Sequence, residues 1–256
     1  GRQDLIDMGF ETDIEVLDGV VSGCMDPYAD NYNASAEYED GSCTYLDNGS
    51  FFLSFDGADD FVNIPVSNSL DISPDLTISA LINWSGVESI DATYSHIVTK
   101  EDAYELAIDD NGEIVFALNP WTWIGSGIYI QTGEWYNLTI SHDSDGEQKL
   151  YVDGEHVFSS NSGGDIFISG SDVQIGARYA GSAGFFNGYI DNVNIWNTVL
   201  SENQINDYIN TPPNGNENGL EGDWNFNSGS GNILYDHSDN QNHGTITGAT
   251  WSTDTP

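Results

Sequence analysis

YIDNVNIW (189–196), LTISALINW (76–84) and WYNLTISH (135–142) alternate apolar and polar side chains. That alternation marks β-strands with one face turned to a core, because successive side chains on a strand point to opposite sides. Outward from these three, FFLSF (51–55), FVNI (61–64), YELAI (104–108), EIVFAL (113–118), KLYVD (149–153) and DVQIG (172–176) read the same way, and LEGDWNFNSG (220–229) continues the series. Turn signals separate the segments at roughly 8–12-residue spacing, the sign of a sandwich. Asp110-Asn111-Gly112, Asp145-Gly146 and Asp153-Gly154 supply residues that accept positive φ in tight hairpins. One helix is expected over 201–209: Ser201-Glu202-Asn203-Gln204 has the form of a capping box, Ile205, Tyr208 and Ile209 share a face, and Pro212-Pro213 stops it. There is no solenoid-length repeat and no regular alternation of strand with helix. The expected fold class is therefore all-β, a two-sheet antiparallel β-sandwich with one short helix.

The 256 residues carry 42 Asp plus Glu against 4 Lys plus Arg, a formal charge of −38. With only Arg2, Lys100, Lys149 and Arg178, no basic groove can neutralise a row of phosphates, and an anionic bilayer repels the chain. Nucleic acid and membrane surfaces are excluded as partners. The 7 Trp, 13 Tyr and 11 Phe still supply a core, so the chain folds. Cys24 and Cys43 lack the spacing of a zinc or redox pair and read as a disulfide, which implies an oxidising compartment. No 18-residue apolar run occurs, and the chain begins Gly-Arg-Gln with no signal peptide. The expectation is a piece of a longer secreted or cell-surface protein, flanked by other modules of the same polypeptide and without membrane insertion. The expected division is 1–20 as a linker or N-terminal extension, 21–46 as a disulfide-closed acidic loop, and 47–256 as the sandwich.

LSFDG (53–57) followed by Asp60-Phe61-Val62, then LTISALINW, LYVDGE (150–155), FNGYIDNVNIWNTVLS (186–201) and GDWNFNSGSGNILYDHSDNQNHGTITGATW (222–251) together resemble the laminin-G-like, concanavalin A-like jelly-roll lectin modules of secreted bacterial surface proteins. The resemblance covers about residues 49–252. One departure is that the W-x-F…D-x-S-x-N…G segment, which opens the domain in many relatives, closes it here; a circularly shifted boundary of the same sandwich accounts for that. The preceding GCMDPYADNYNASAEYEDGSC (23–43) resembles a short Cys-bounded repeat found between modules of secreted bacterial proteins.

Calcium is the cofactor the chain suggests, since oxygen ligands abound and Asp191 projects from its strand on the side opposite Ile190. The resemblance implies a structural Ca2+ held by Asp191 with Asp56, Gly57 and Asp60; Asp236 is a further candidate. The alternative is that these carboxylates cap turns and accept backbone N–H bonds. In the Cys loop, Asp26, Asp30, Asn31, Asn33 and Asp40 form a second candidate metal set, against the alternative of a solvated acidic loop stapled by one disulfide and anchored by Tyr28 and Tyr32.

Catalytic signals are weak. GxSxG, HExxH and GxxxxGK are absent, and the nearest approach to the E-x-D-x-x-E spacing of glycosidases on this fold, Glu221-Gly222-Asp223, meets Phe226 where the second catalytic carboxylate belongs. The five His show no metal-ligand spacing, and His96 and His142 read as packing residues. Asn119-Pro120-Trp121-Thr122-Trp123 places two indoles on one face, about 7 Å apart if extended, on the scale of a sugar ring. Trp121 and Trp123, with Tyr129, Arg178 and Tyr179, are the ligand candidates. Core packing is the other reading for the Trp pair, as for Trp84, Trp135 and Trp196, and Gly125-Ser126-Gly127 looks like a loop flank. Two functions remain open: a non-catalytic carbohydrate-binding module for a polysaccharide or cell-surface glycan, neutral because cations are scarce, or a calcium-stabilised adhesion or spacer domain making protein contacts.

Overall fold

The computed structural model describes residues 20–87, 93–118, 122–161 and 164–253. The chain divides into two compact units, Gly1–Tyr45 and Leu46–Pro256. In the first, Cys24 and Cys43 are disulfide-bonded, and Ser22 makes a parallel bridge with Tyr38. Tyr28 and Tyr32 lie largely exposed on this loop.

The second unit holds sixteen strands among the described residues. In chain order they are β1 (Phe52–Asp56), β2 (Phe61–Ile64), β3 (Leu76–Trp84), β4 (Tyr94–Lys100), β5 (Tyr104–Asp109), β6 (Glu113–Ala117), β7 (Ile124–Tyr129) and β8 (Trp135–His142). There follow β9 (Glu147–Val152), β10 (Glu155–Asn161), β11 (Val173–Ile175), β12 (Asn187–Trp196), β13 (Leu220–Trp224), β14 (Ile233–Leu234), β15 (Gly244–Thr247) and β16 (Thr250–Ser252). Sheet 1 runs β10-β9-β8-β3-β12-β1-β16, with β13 also paired to β12; sheet 2 runs β14-β15-β2-β11-β4-β5-β6-β7. All of these pairings are antiparallel. The chain is thus the two-sheet antiparallel sandwich its alternation predicts, in the jelly-roll form its resemblance implies.

Inward residues of both sheets, among them Leu53, Phe55, Ile78, Ile82, Tyr104, Leu106, Ile140 and Ile190, form the core. A smaller cluster lies on the outer face of sheet 1, where Ile205 and the partly buried Tyr208 pack with Trp196, Leu200 and Tyr151. Both come from helix α1 (Glu202–Asn210), whose N-cap Ser201 forms the expected capping box with Gln204. Trp84 and Trp196 are buried as expected. Trp135 is not a core residue: opposite Asn83 it falls on the outer register of β8, where it is half-buried and stacks on Tyr189 at 6.1 Å. The segment read as a loop flank after Trp123 is strand β7, one of the two edge strands of sheet 2. Its glycines suit that place, because a Cβ on Gly125 would lie 2.7 Å from Glu113 Oε1.

Candidate functional site

Three of the five ligand candidates come together on the outer face of sheet 2. The Arg178 guanidinium lies 4.0 Å from the centroid of the Tyr179 ring and 5.9 Å from that of Trp123. Trp123 stacks on Tyr94 at 4.6 Å and meets the edge of His96 at 5.6 Å. Trp123 is only half-buried, and Tyr179 is 54% exposed. Tyr129 belongs elsewhere: it sits at the far end of β7 with its hydroxyl 3.4 Å from Glu113 Oε2. Trp121 lies outside the described residues.

The strands explain why charge collects here. On β4 and β5, Thr99 faces Glu105 in an outward register, while Val98, Leu106 and Tyr104 face the core. A loop after β11 folds back over this outer face, tied by the Arg178–Ala183 bridge. Gly184, at φ +63°, lets that loop touch His96, since a Cβ there would fall 2.3 Å from the imidazole. Tyr179 and Ala180 both hold left-handed φ values, 53° and 55°, which project the Tyr179 ring from the loop. Arg178 forks onto Glu101, with Nη2 donating at 2.5 Å and Nε at 3.3 Å, and Nη2 lies 3.5 Å from Glu105 Oε1. Two carboxylates thus offset one guanidinium.

Burial raises Glu105 to about 7, outweighing the nearby Arg178 charge, and the same burial together with that charge drops His96 to about 3. His96 is therefore neutral, and its 3.4 Å approach to Glu105 Oε2 is a polar contact rather than an ion pair. Beside Tyr179 opens a cleft of about 390 Å³ lined by Glu101, Ser171, Asp172 and Gln174 among others. The surface offers one exposed ring, amide and carboxylate hydrogen-bonding groups, and a guanidinium whose charge is already met.

Sequence reasoning missed Tyr94, Glu101 and Glu105, whereas His96 and His142 are the buried packing residues it expected. His96 and Glu105 are buried on what the alternation marks as a solvent face, and the loop that covers them is distant in sequence.

The metal candidates separate. Asp56, Asp60 and Asp59, a residue the sequence reading passed over, each place a carboxylate oxygen within 4.8 Å of the others. Asp56 Oδ1 accepts from Ala58 N at 2.8 Å, and Asp60 Oδ2 accepts from Asp56 N at 2.9 Å. Burial, then the neighbouring Asp56 and Asp59, raises the Asp60 pKa. Gly57, at φ +79°, makes the turn between them. Asp191 does not join this group. Asp56 pairs with Asn187, and Asp191 lies four residues further along β12, about 13 Å at strand spacing.

Asp236 is a turn cap. Fully buried, it accepts from Asp223 N, Ser238 N, Ser238 Oγ and Asn242 N, all at 2.7–2.8 Å. Its D-x-S spacing was the sign of that turn. Asp223, the catalytic near-match, is buried and accepts from Asn194 Nδ2 at 2.6 Å.

In the first unit three members of the second metal set cap turns and a fourth, Asn31, ties the ends of the loop together. Asp26 accepts from Tyr28 N, Asn33 from Ser35 N, Asp40 from Ser42 N, and Asn31 from Thr44 N. Asp30 engages the fold here through its backbone, donating to Thr44 O. Among the described residues, the ligand-type group in this unit is Cys24, Glu39 and Cys43, and both sulfurs are spent on the disulfide.

The chain is similar in part to several known proteins. C-reactive protein 1.1 of Limulus polyphemus is 27% identical over 149 residues, 52% of this chain and 61% of the relative; the chain thus spans under two thirds of that curated relative. A protein from Bacteroides ovatus, described as carbohydrate binding, superposes with a TM-score of 0.67 at 20% identity, covering 88% of this chain and 66% of that one. Domain 4 of an extracellular arabinanase from Geobacillus stearothermophilus, solved with arabinotriose, has a TM-score of 0.49 at 21% identity over 67% of this chain and 82% of that one. The laminin-G-type model described as "Concanavalin A-like lectin/glucanases superfamily" matches residues 56–206, and the chain belongs to that family.

Proposed function

We propose that this chain is a non-catalytic carbohydrate-binding module that takes a neutral glycan on the Tyr179 surface of sheet 2, within a larger secreted or cell-surface protein. The carrying observation is Tyr179 itself, an exposed ring projected by a left-handed loop and backed by Arg178. Aromatic faces stack on the C–H faces of pyranoses, and neighbouring amides and carboxylates take the hydroxyls. Because Glu101 and Glu105 already offset Arg178, an anionic sugar gains little there. The family membership and the carbohydrate-binding description of the Bacteroides ovatus protein support the same class of ligand. The disulfide fits an oxidising, extracellular setting, and among the described residues no helix is long and apolar enough to cross a membrane.

A structural calcium belongs to the same reading, at Asp56, Asp59 and Asp60. Their oxygens are the hard donors Ca2+ prefers, and the backbone of Gly248 lets Asp60 Oδ1 approach to where a Cβ would stand 1.9 Å away. When bound, the ion would supply charge neutralisation for three crowded carboxylates. A Ca2+-stabilised adhesion or spacer role is the second reading, favoured by the stacking of Trp123 onto Tyr94, which commits that indole to packing.

Affinity electrophoresis through arabinan, xylan and β-glucan gels tests the choice. Wild type should be retarded by at least one polymer, and Tyr179→Ala should run free with an unchanged melting temperature. Equal retardation of both proteins refutes the Tyr179 site; no retardation of wild type favours the adhesion role.

A further inference from the structure

We propose a second ligand site, on the sheet away from Tyr179: a groove between the outer face of sheet 1 and helix α1 that takes a single neutral pyranose ring. The groove has a volume of about 300 Å³, the lower end of the range for small-molecule sites. Strand register builds its floor. Leu81 lies opposite Asn137 and Ser79 opposite Thr139, so their side chains emerge together on the outer face. Helix α1 builds its wall. Tyr208 stacks on Trp196 at 4.9 Å, which holds the helix off the strands and leaves Ile209 and Pro212 overhanging the gap.

The lining matches a sugar ring rather than a lipid or an anion. The apolar surface comes from Trp135, Leu81, Ile209 and Pro212, and Trp135 offers the one half-buried indole. Polar atoms converge among these apolar walls. Asn137 Oδ1 receives the Ser79 and Thr139 hydroxyls, while its amide nitrogen has no partner among the described residues. Asn194 donates to Asp223, and its carbonyl oxygen likewise has none, although the residue is 91% buried. Asp153 Oδ1 accepts from Asn137 N, which leaves Oδ2 for a ligand. Asp153 is exposed and Asn137 half-buried, so these groups stay within reach of solvent at the groove's mouth, where a sugar hydroxyl can take the place of water. No Lys or Arg lines the groove, so a charged acid has nothing to meet.

The backbone adds an independent sign. β12 carries an irregularity between Asp191 and Asn194, and Asn192 there holds φ +47°. A bulge in the middle of a central strand forfeits ladder pairing and re-aims side chains, and such devices gather next to sites. Here it brings both Asn192 and Asn194 to the groove.

The test uses the Tyr179→Ala protein, which lacks the surface proposed above, so the two ideas can fail separately. Saturation-transfer NMR and tryptophan fluorescence would follow millimolar methyl glycosides of glucose, galactose, mannose and xylose. At least one should bind saturably to Tyr179→Ala. Adding Asn137→Leu, which preserves bulk and removes the amide, should weaken that binding about tenfold. Adding Ile209→Trp, on the partly exposed helix face, should fill the groove and abolish it; this second variant keeps the test alive if Asn137→Leu fails to fold. No saturable binding to Tyr179→Ala, or binding indifferent to both groove substitutions, overturns the proposal and leaves the Tyr179 surface untouched.

Discussion

Replacing Asp191 by Asn should stabilise the protein at alkaline pH in the presence of a chelator. Asp191 is 9% exposed, and among the described residues its carboxylate has one hydrogen bond, from Asn192 N at 2.8 Å. Burial lifts its pKa from 3.8 to about 7. An acid whose pKa is raised by folding gives stability that is fully present below the unfolded value and is lost as pH rises through the folded one. The shift of roughly three pH units corresponds to at most about 4 kcal/mol of destabilisation once the group is ionised. Asn keeps the shape and can still accept from Asn192, but it adds an NH2 with no assured partner, at a cost of about 1 kcal/mol. The net gain should be about 1–3 kcal/mol near pH 8, or roughly 2–10 °C in melting temperature for a unit of this size, and close to zero near pH 4. Thermal melts by circular dichroism across that range, with chelator and then with millimolar Ca2+, would read it. If Asp191→Asn melts below wild type in chelator at alkaline pH, the buried-acid account is wrong. If wild type overtakes the variant only when Ca2+ is added, Asp191 is a calcium ligand after all, as its motif resemblance implied.

Other outcomes follow from neighbouring features. Arg178→Met strands Glu101 and Glu105 without their shared cation and should cost about 3 kcal/mol, read as a lower denaturation midpoint; an unchanged midpoint would mean the fork is not stabilising. Gly184→Ala forces a methyl against His96 at a positive φ and should cost more than about 1 kcal/mol while altering Trp123 fluorescence; a neutral effect would show that the loop is free to move away. Chelation should lower the melting temperature of wild type, by about 2.7 kcal/mol in stability relative to a hundredfold excess of Ca2+ over Kd, and Asp60→Asn should remove the response. Coincident curves with and without the ion would exclude a structural calcium.

What the sequence displayed depended on whether each face of a strand kept its ordinary neighbour. β3, β8 and β12 alternate visibly because their inner faces meet an apolar core, and α1 announces itself through local capping chemistry. β4 was unreadable for the opposite reason. Its inward Lys100 is fully buried, with Nζ donating to Ser171 O at 2.7 Å and pairing with Asp71 at 3.0 Å, and its outward His96 and Thr99 are buried as well. β7 hid behind glycines that signal a loop unless the Glu113 side chain crowding Gly125 is known. Trp123, Arg178 and Tyr179 could be nominated one at a time from residue type, but their meeting depends on a loop closing over a sheet, which no local pattern encodes. Asp236 shows the reverse error, since a carboxylate rich in backbone N–H bonds looks in one dimension much like one poised for a cation.

The pairing of β1 with β16, Phe52 opposite Ser252, has a consequence for how such a module is joined to others. The strands that begin and end the sandwich are adjacent, at one edge of sheet 1, so the polypeptide enters and departs through the same doorway. A fold with that property can be spliced into a host chain as a side branch, or re-cut so that its last segment becomes its first, with little disturbance to its core.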